Sequence, residues 1–413
     1  MLSSAGWNKR LLEIINSFVA IKSYMRKIKA DVIYSLVKAP QKDGILVLDE
    51  QGVILDLLDK NHPKYAAAAE NAEVYSGIIC PGFVNTHCHL ELSYLHAKID
   101  ENTGLSGFVS QLQKTRTKFG DKEIEEAIVL AENQMIENGI VAVGDICNGT
   151  STLKQKLQRK LYYHSFIELF AFDENKAEEV FDRGKLIYES FIREGLSASI
   201  TPHAPYSTSE KLMRLIAAHS IAQHNILSIH NQESEEENKL FQNKSGKMAE
   251  MLQNFGFDLN RWKESNQNSL PTYSSYLNTS LPILLVHNTY TSAADLQQLD
   301  LKNFYLCICA NANLFIENKL PPLQEFTKLN ARLTLGTDSL ASNHQLSVWE
   351  EIKSIRTHFP TYELNELLKW ACLNGANYLG IQQNFGSFEV GKKPGINWIE
   401  FPDSPQSKVK KLQ

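Results

Sequence analysis

From Ile78 onward the chain alternates short apolar runs with longer amphipathic stretches. The runs Ile78–Thr86, Ile140–Ile146, Tyr162–Phe170, Ala198–Pro202, Ile226–His230, Ile283–His287, Tyr305–Cys309 and Arg332–Thr337 read as eight strands. Between them, Glu123–Asn138, Glu178–Arg193 and Ser209–His219 carry the 3.6-residue periodicity of helices, the second stopping at Glu194-Gly195. Eight β-runs alternating with helices over about 260 residues predict an α/β protein, a (β/α)8 TIM-like barrel. A doubly wound open sheet usually shows a glycine-rich phosphate loop after its first strand, and here Gly82 stands alone before Phe83.

The flanks differ from this rhythm. Asp31–Leu36, Gly44–Asp49 and Val53–Leu57 read as strands separated by turn formers, and Gly386–Gly391 and Asn397–Phe401 again look like β-structure. Two β-rich ends meeting beside a barrel predict a small discontinuous, sandwich-like domain. The expected division is an extension at 1–29, a β-rich domain from 30–77 with 381–413, and a barrel over 78–380. The charge runs Lys154–Lys160 and Ser234–Asn238 read as solvated faces. The long polar connection Ser234–Leu281, with Trp262, Tyr273 and Tyr276, reads either as a lid that sets specificity or as a surface insertion.

Composition narrows the function. Of 413 residues 43% are apolar and 22% charged, with 42 Lys+Arg against 47 Asp+Glu and a formal charge of −5. That balance suits a large globular core and lacks the basic face that non-specific nucleic-acid binding needs. No apolar run approaches the roughly 18 residues of a membrane span. Six scattered cysteines (Cys80, Cys88, Cys147, Cys307, Cys309, Cys372) do not make a disulfide framework, so a cytoplasmic protein is expected. Cys307 and Cys309, alternate residues on one strand, read as core packing. Met1–Tyr24 imitates a signal peptide, but Glu13, Asn16 and Ser17 interrupt its apolar part; a short amphipathic helix, or an extension before a start at Met25, is the better reading.

The histidines carry the chemistry. Five of twelve, His87, His89, His203, His230 and His287, stand at the carboxyl ends of expected strands, and Asp338 follows the eighth. In a barrel those ends converge on one face. Strand alternation puts His87 and His89 on one side and Cys88 on the other, so both imidazoles can reach one metal. His230 and Asp338 would complete three nitrogens and one carboxylate oxygen, a set suited to Zn²⁺ and compatible with Fe²⁺, Ni²⁺ or Mn²⁺.

The segments PGFVNTHCHLE (Pro81–Glu91), TPHAPYS (Thr201–Ser207), HNQE (His230–Glu233), LVHNTY (Leu285–Tyr290) and LGTDSLASN (Leu335–Asn343) resemble the amidohydrolase superfamily. Within it the chain resembles the metal-dependent aminohydrolases and chlorohydrolases from about Asp31 to Phe401. The resemblance implies one divalent metal held by His87, His89, His230 and Asp338. It implies a single ion because Ser197–Tyr206 lacks the lysine that two-metal relatives carboxylate. It implies that Asp338 and His287 take a proton from the attacking water, and that Glu233 protonates a ring nitrogen and relays protons to ammonia. A helix-start charge is the plainer reading of Glu233. His203 is expected to contact the substrate, or only to orient His230. Glu91 is expected to bind substrate hydroxyls, or to form a surface salt bridge.

The run HxHLELS with Gly104–Phe108 is similar to aminodeoxyfutalosine deaminases of menaquinone biosynthesis. The expected reaction is therefore hydrolytic deamination of an aminopurine-type nucleoside or base, a small heterocyclic molecule, by an enzyme that is commonly a homodimer. Cyclic-amide or imidazolone hydrolysis, triazine dechlorination and a non-catalytic metal-binding scaffold are the alternatives. Two segments depart from the pattern: Cys309-Ala310-Asn311-Ala312-Asn313 stands where related enzymes carry Cys-Pro-x-Ser-Asn, and Gly391–Ile396 replaces Gly-x-x-Ala-Asp-Leu. The zinc signature of cytidine deaminases is absent.

Overall fold

The structure is a computed structural model that describes residues 25–261, 264–277 and 280–413. The expected helix or extension within Met1–Tyr24, and Trp262, lie outside the described residues. The strands in chain order are β1 (Arg26–Ile33), β2 (Gln41–Lys42), β3 (Ile45–Leu48), β4 (Ile54–Leu58), β5 (Glu73–Pro81), β6 (Phe83–Cys88), β7 (Ile140–Cys147) and β8 (Tyr162–Leu169). They continue as β9 (Ser197–Pro202), β10 (Leu227–Asn231), β11 (Ile283–His287), β12 (Phe304–Ile308), β13 (Arg332–Leu335), β14 (Ile396–Ile399) and β15 (Val409–Lys411).

Eight strands form two parallel four-stranded sheets, β6-β7-β8-β9 and β10-β11-β12-β13, with helices between successive strands. The two sheets meet along both edges. At one, the His230 amide donates to the His203 carbonyl at 2.9 Å. At the other, Cys88 pairs with Asp338, and the amides of Thr337 and Asp338 both donate to the His87 carbonyl at 3.1 Å. β7 is buried along its whole length, as expected of a parallel strand covered on both faces. Cys307 and Cys309 are both buried with sulfurs 3.8 Å apart, and all six cysteines are free and buried.

The chain's two ends share one sheet, ordered β15-β14-β5-β1-β3-β4, with β2 on β1. Ile28, Ile33, Leu46, Ile54, Phe388 and Ile396 form its own apolar cluster, while Ile78, Cys80 and Ile399 join the main core. β1 begins at Arg26, inside the segment assigned to the extension. The expected strand Ile78–Thr86 is two strands, because the chain leaves the end sheet at Pro81 and enters the parallel sheet at Phe83. Gly82 makes that crossing possible: a Cβ there would stand 2.3 Å from Val141 Cγ1 and 2.7 Å from the Pro394 carbonyl. Gly386–Gly391 is a turn rather than a strand. Its Gly391 amide donates to the Ile54 carbonyl of β4, and its Phe388 amide to the Ser35 carbonyl just past the end of β1.

The first charge run is a solvated face except at Lys156, and the second is solvated only in part, with Glu235 exposed. Lys156 is 1% exposed, with its ammonium 2.5 Å from Asp145 Oδ2, 2.9 Å from Ser165 Oγ and 3.1 Å from Cys147 Sγ. Burial acts against its charge, but Asp145 and Cys147 outweigh that and raise its pKa. In the second run Glu237 and Asn238 are buried, and Glu237 accepts from the Gln232 amide and the Ser269 hydroxyl. Asp145 also accepts the Leu90 amide at 2.8 Å, so the Lys156 pair supports the turn directly after His89. Removing one partner of such a pair strands the other charge in the core. Lys156→Met is expected to cost about 3–5 kcal/mol in urea unfolding; a loss below about 1 kcal/mol would show that the pair is not a structural support.

Candidate active site

The carboxyl ends of β6, β9, β10, β11 and β13 bring His87, His89, His203, His230, His287 and Asp338 together. His87 Nε2 and His89 Nε2 each lie 3.4 Å from Asp338 Oδ1, and His89 Nε2 is 3.3 Å from His230 Nε2. His87 and His89 share a side, as strand alternation requires. Gly336 lets the last strand approach them, since a Cβ there would stand 2.8 Å from His87 Cβ.

Hydrogen bonds fix the tautomers. His230 Nδ1 is 2.8 Å from the His203 carbonyl, which can only accept, so Nδ1 carries the proton and Nε2 is a bare lone pair. The Asn313 amide donates to the His287 carbonyl, which turns its oxygen toward His287 Nδ1 at 2.9 Å. His287 Nε2 is therefore also a lone pair, and it faces Glu233 Oε1 at 3.6 Å. Ser207 donates its proton to the Ala204 carbonyl and so accepts from His203 Nδ1 at 2.6 Å, leaving His203 Nε2 as an acceptor. Asn313 belongs to the Cys309–Asn313 departure, and Asn311 in the same segment is held by Glu351. Both asparagines are thus engaged by protein groups.

Burial keeps these imidazoles neutral: it pushes His89 down to about 3 and His203 to about 4. Burial raises the Asp338 carboxyl, but the imidazoles of His87, His89 and His287 beside it hold it well below the carboxylate range. Ser342 donates to its Oδ2. Glu233 moves the opposite way: burial, with Asp338 and Glu317 nearby, raises it well above the usual range. One cluster thus pushes one carboxyl toward its ionised form and its neighbour toward its protonated form, the arrangement acid–base catalysis needs.

A divalent cation fits this donor set. Both ring nitrogens of the fully buried His87 lack a hydrogen-bond partner, a cost of about 1–3 kcal/mol unless something fills the need. His87 with His89 and His230, and His87 with His287 and Asp338, each place their ligand atoms within 4.8 Å of one another. A further group, Glu168 with His203 and His230, meets the same distance. The protonated His230 Nδ1, 3.5 Å from Glu168, makes that group unsuited to a second ion.

A cavity of about 210 Å³ opens onto the cluster, with His89, His203, His230, Glu233, His287 and Asp338 on its wall. The opposite wall is mostly apolar: Leu105, Phe108, Val109 and Leu112 of the helix Gly104–Thr115, Phe170 and Phe172 after β8, and Met251, Leu252 and Phe255, with Gln113 and Arg116 as its polar members. Met251, Leu252 and Phe255 come from the Ser234–Leu281 connection, which is largely helical. Of the aromatics singled out there from the sequence, Tyr273 is buried and donates to Asn231, and Tyr276 packs under Arg214, both away from the cavity. Glu91 is absent from the cavity wall; both its oxygens accept the Asn148 amide at 3.1 Å, and among the described residues no cation pairs with it. Two residues that line the cavity escape a reading by strand ends, Asn148 and Glu168. Glu168 was signalled only as a lone carboxylate inside the apolar run Tyr162–Phe170.

Parallel strands delivering imidazoles and carboxylates to one cavity define a class, α/β enzymes with a histidine–carboxylate centre at the carboxyl ends of their strands. The chain belongs to the amidohydrolase family, whose profile matches residues 78–413. Among curated proteins it is 24% identical to the 5′-deoxyadenosine deaminase of Methanococcus maripaludis, over 78% of this chain and 75% of that one. Among solved structures it is similar to Helicobacter pylori aminofutalosine deaminase in complex with methylthio-coformycin, with TM-score 0.77, 22% identity and coverage of 91% and 92%. An adenosine deaminase from Xanthomonas campestris with bound zinc superposes at TM-score 0.69 and 19% identity, covering 91% of this chain and 84% of that one.

His87→Ala is expected to abolish zinc binding measured by metal analysis after dialysis, whereas Cys88→Ala keeps about one ion per chain. Equal zinc loss in both variants would contradict the facing of this strand.

Proposed function

We propose that this protein is a metal-dependent hydrolytic deaminase of a 6-aminopurine nucleoside, with aminodeoxyfutalosine as one candidate substrate. The eight parallel strands are read as a closed (β/α)8 barrel over 78–380, and 30–77 with 381–413 as a small β-rich domain beside it. The observation that carries the reading is the buried Glu233 carboxyl 3.6 Å from His287 Nε2, beside the neutral histidines and the ionised Asp338. Two supports are independent of it. The relatives above deaminate adenosine-type nucleosides by their names, and the apolar wall favours a nucleoside with an apolar 5′ substituent over unmodified adenosine.

His87, His89, His230 and Asp338 would hold one divalent ion, with zinc favoured by three imidazoles and a carboxylate. When bound there, the ion supplies Lewis-acid activation of water near neutral pH. The residues do the rest. Asp338 and the bare His287 Nε2 accept the proton of the attacking water. The protonated Glu233 donates to a ring nitrogen as the water oxygen bonds to the adjacent carbon. Glu233, now a carboxylate, takes the proton of the new hydroxyl and passes it to the amino group; the carbon–nitrogen bond breaks, ammonia leaves with a carbonyl in its place, and the proton held by Asp338 and His287 returns to Glu233. His203 Nε2 accepts a hydrogen bond from the bound nucleoside, while its carbonyl orients His230.

No described helix is long and apolar enough to cross a membrane. A cytoplasmic homodimer remains part of the proposal.

The test is ammonia release by zinc-loaded protein from 6-aminopurine nucleosides, with turnover of lactams and chlorotriazines as the alternative outcome. Glu233→Gln is expected to retain zinc and lose about 100-fold or more in kcat. Unchanged turnover by this variant would overturn the proton shuttle.

A further inference from the structure

Glu168 is a buried carboxylate on the cavity wall whose needs the protein only half meets. Its Oε2 accepts from Asn148 Nδ2 at 2.9 Å, while Oε1 has no hydrogen-bond partner. Among the described residues no Lys or Arg pairs with it. The nearest positive edge, His230 Nδ1 at 3.5 Å, already donates to the His203 carbonyl. Beside it stands His203, whose Nδ1 proton is committed to Ser207, so Nε2 is a second acceptor without a donor.

Glu91, the carboxylate suggested by the sequence for hydroxyl binding, is used differently. It clamps the Asn148 backbone from behind, and Asn148 in turn clamps Glu168. The chain Glu91–Asn148–Glu168 thus ends on the cavity in an acceptor carboxylate, with its orientation set from outside the site. Two neighbouring acceptors and no protein donor call for a ligand that brings hydrogens on adjacent atoms.

Resting on the deaminase reading, we propose that Glu168 receives a sugar hydroxyl of the nucleoside and sets specificity for ribosides, with Glu91 and Asn148 as positioning residues. A vicinal diol supplies two donors, one for the Glu168 carboxylate and one for His203 Nε2. A deoxy sugar leaves the carboxylate unmet, and a free base leaves both acceptors unmet.

The experiment compares zinc-loaded wild type and Glu168→Gln on adenosine, 2′-deoxyadenosine, 3′-deoxyadenosine and adenine, with zinc content measured in parallel. Loss of the hydrogen bond that satisfies this buried carboxyl predicts that wild type prefers adenosine over one deoxy form by roughly 10- to 100-fold in kcat/KM. In Glu168→Gln that preference is expected to fall to within about threefold, with zinc content unchanged. Asn148→Ala, which frees Glu168 without removing it, is expected to show an intermediate preference, carried mainly in KM. Wild-type turnover with no riboside preference, or Glu168→Gln keeping the full preference, would overturn this assignment and leave the deaminase standing. Silence of wild type on this panel and on 5′-methylthioadenosine, an adenosine with an apolar 5′ substituent, with zinc bound, would overturn the deaminase reading and this one together.

Discussion

The site depends on one backbone contact, the double donation from Thr337 and Asp338 to the His87 carbonyl. It joins the end of the last parallel strand to the first, although some 250 residues separate them. With that contact made, Asp338 stands within reach of both His87 and His89, and Gly336 removes the side chain that would keep the strands apart. The Asp338 backbone itself turns left-handed, with φ +56°, to aim the carboxylate at the cluster.

Around this join, proton bookkeeping explains why the side chains beyond the cluster are what they are. A carbonyl behind His230, an amide oxygen behind His287 and a hydroxyl behind His203 each take a ring N–H. Each leaves the opposite nitrogen bare toward the cavity, so three acceptors are aimed by groups outside it. His87 has no such partner on either nitrogen, which marks it as the residue with most to gain from a cation.

How far the sequence could be read follows from how each signal is carried. His87 and His89 are legible because a two-residue spacing on a strand shares a face, and the other histidines because apolar runs end at them. The resemblance to amidohydrolases extends along these same segments, and the family match covers 78–413. Lys156 is misread because a single buried lysine within Lys154–Lys160 looks like its exposed neighbours; only tertiary pairing with Asp145 distinguishes it. Glu168 is hidden for the opposite reason, as a charge inside an apolar strand whose end the histidine pattern does not mark. The crossing at Gly82 is invisible to hydropathy, since both strands it joins are apolar, and a lone glycine does not reveal a change of sheet.

The most direct measurement is turnover of a 6-aminopurine nucleoside by zinc-loaded protein in ¹⁸O-labelled water, with product mass and ammonia followed together. The account predicts one labelled oxygen on the purine ring for each ammonia released, with both lost on chelation and restored by zinc. Ammonia without label in the ring, or product formation indifferent to chelation, would contradict it.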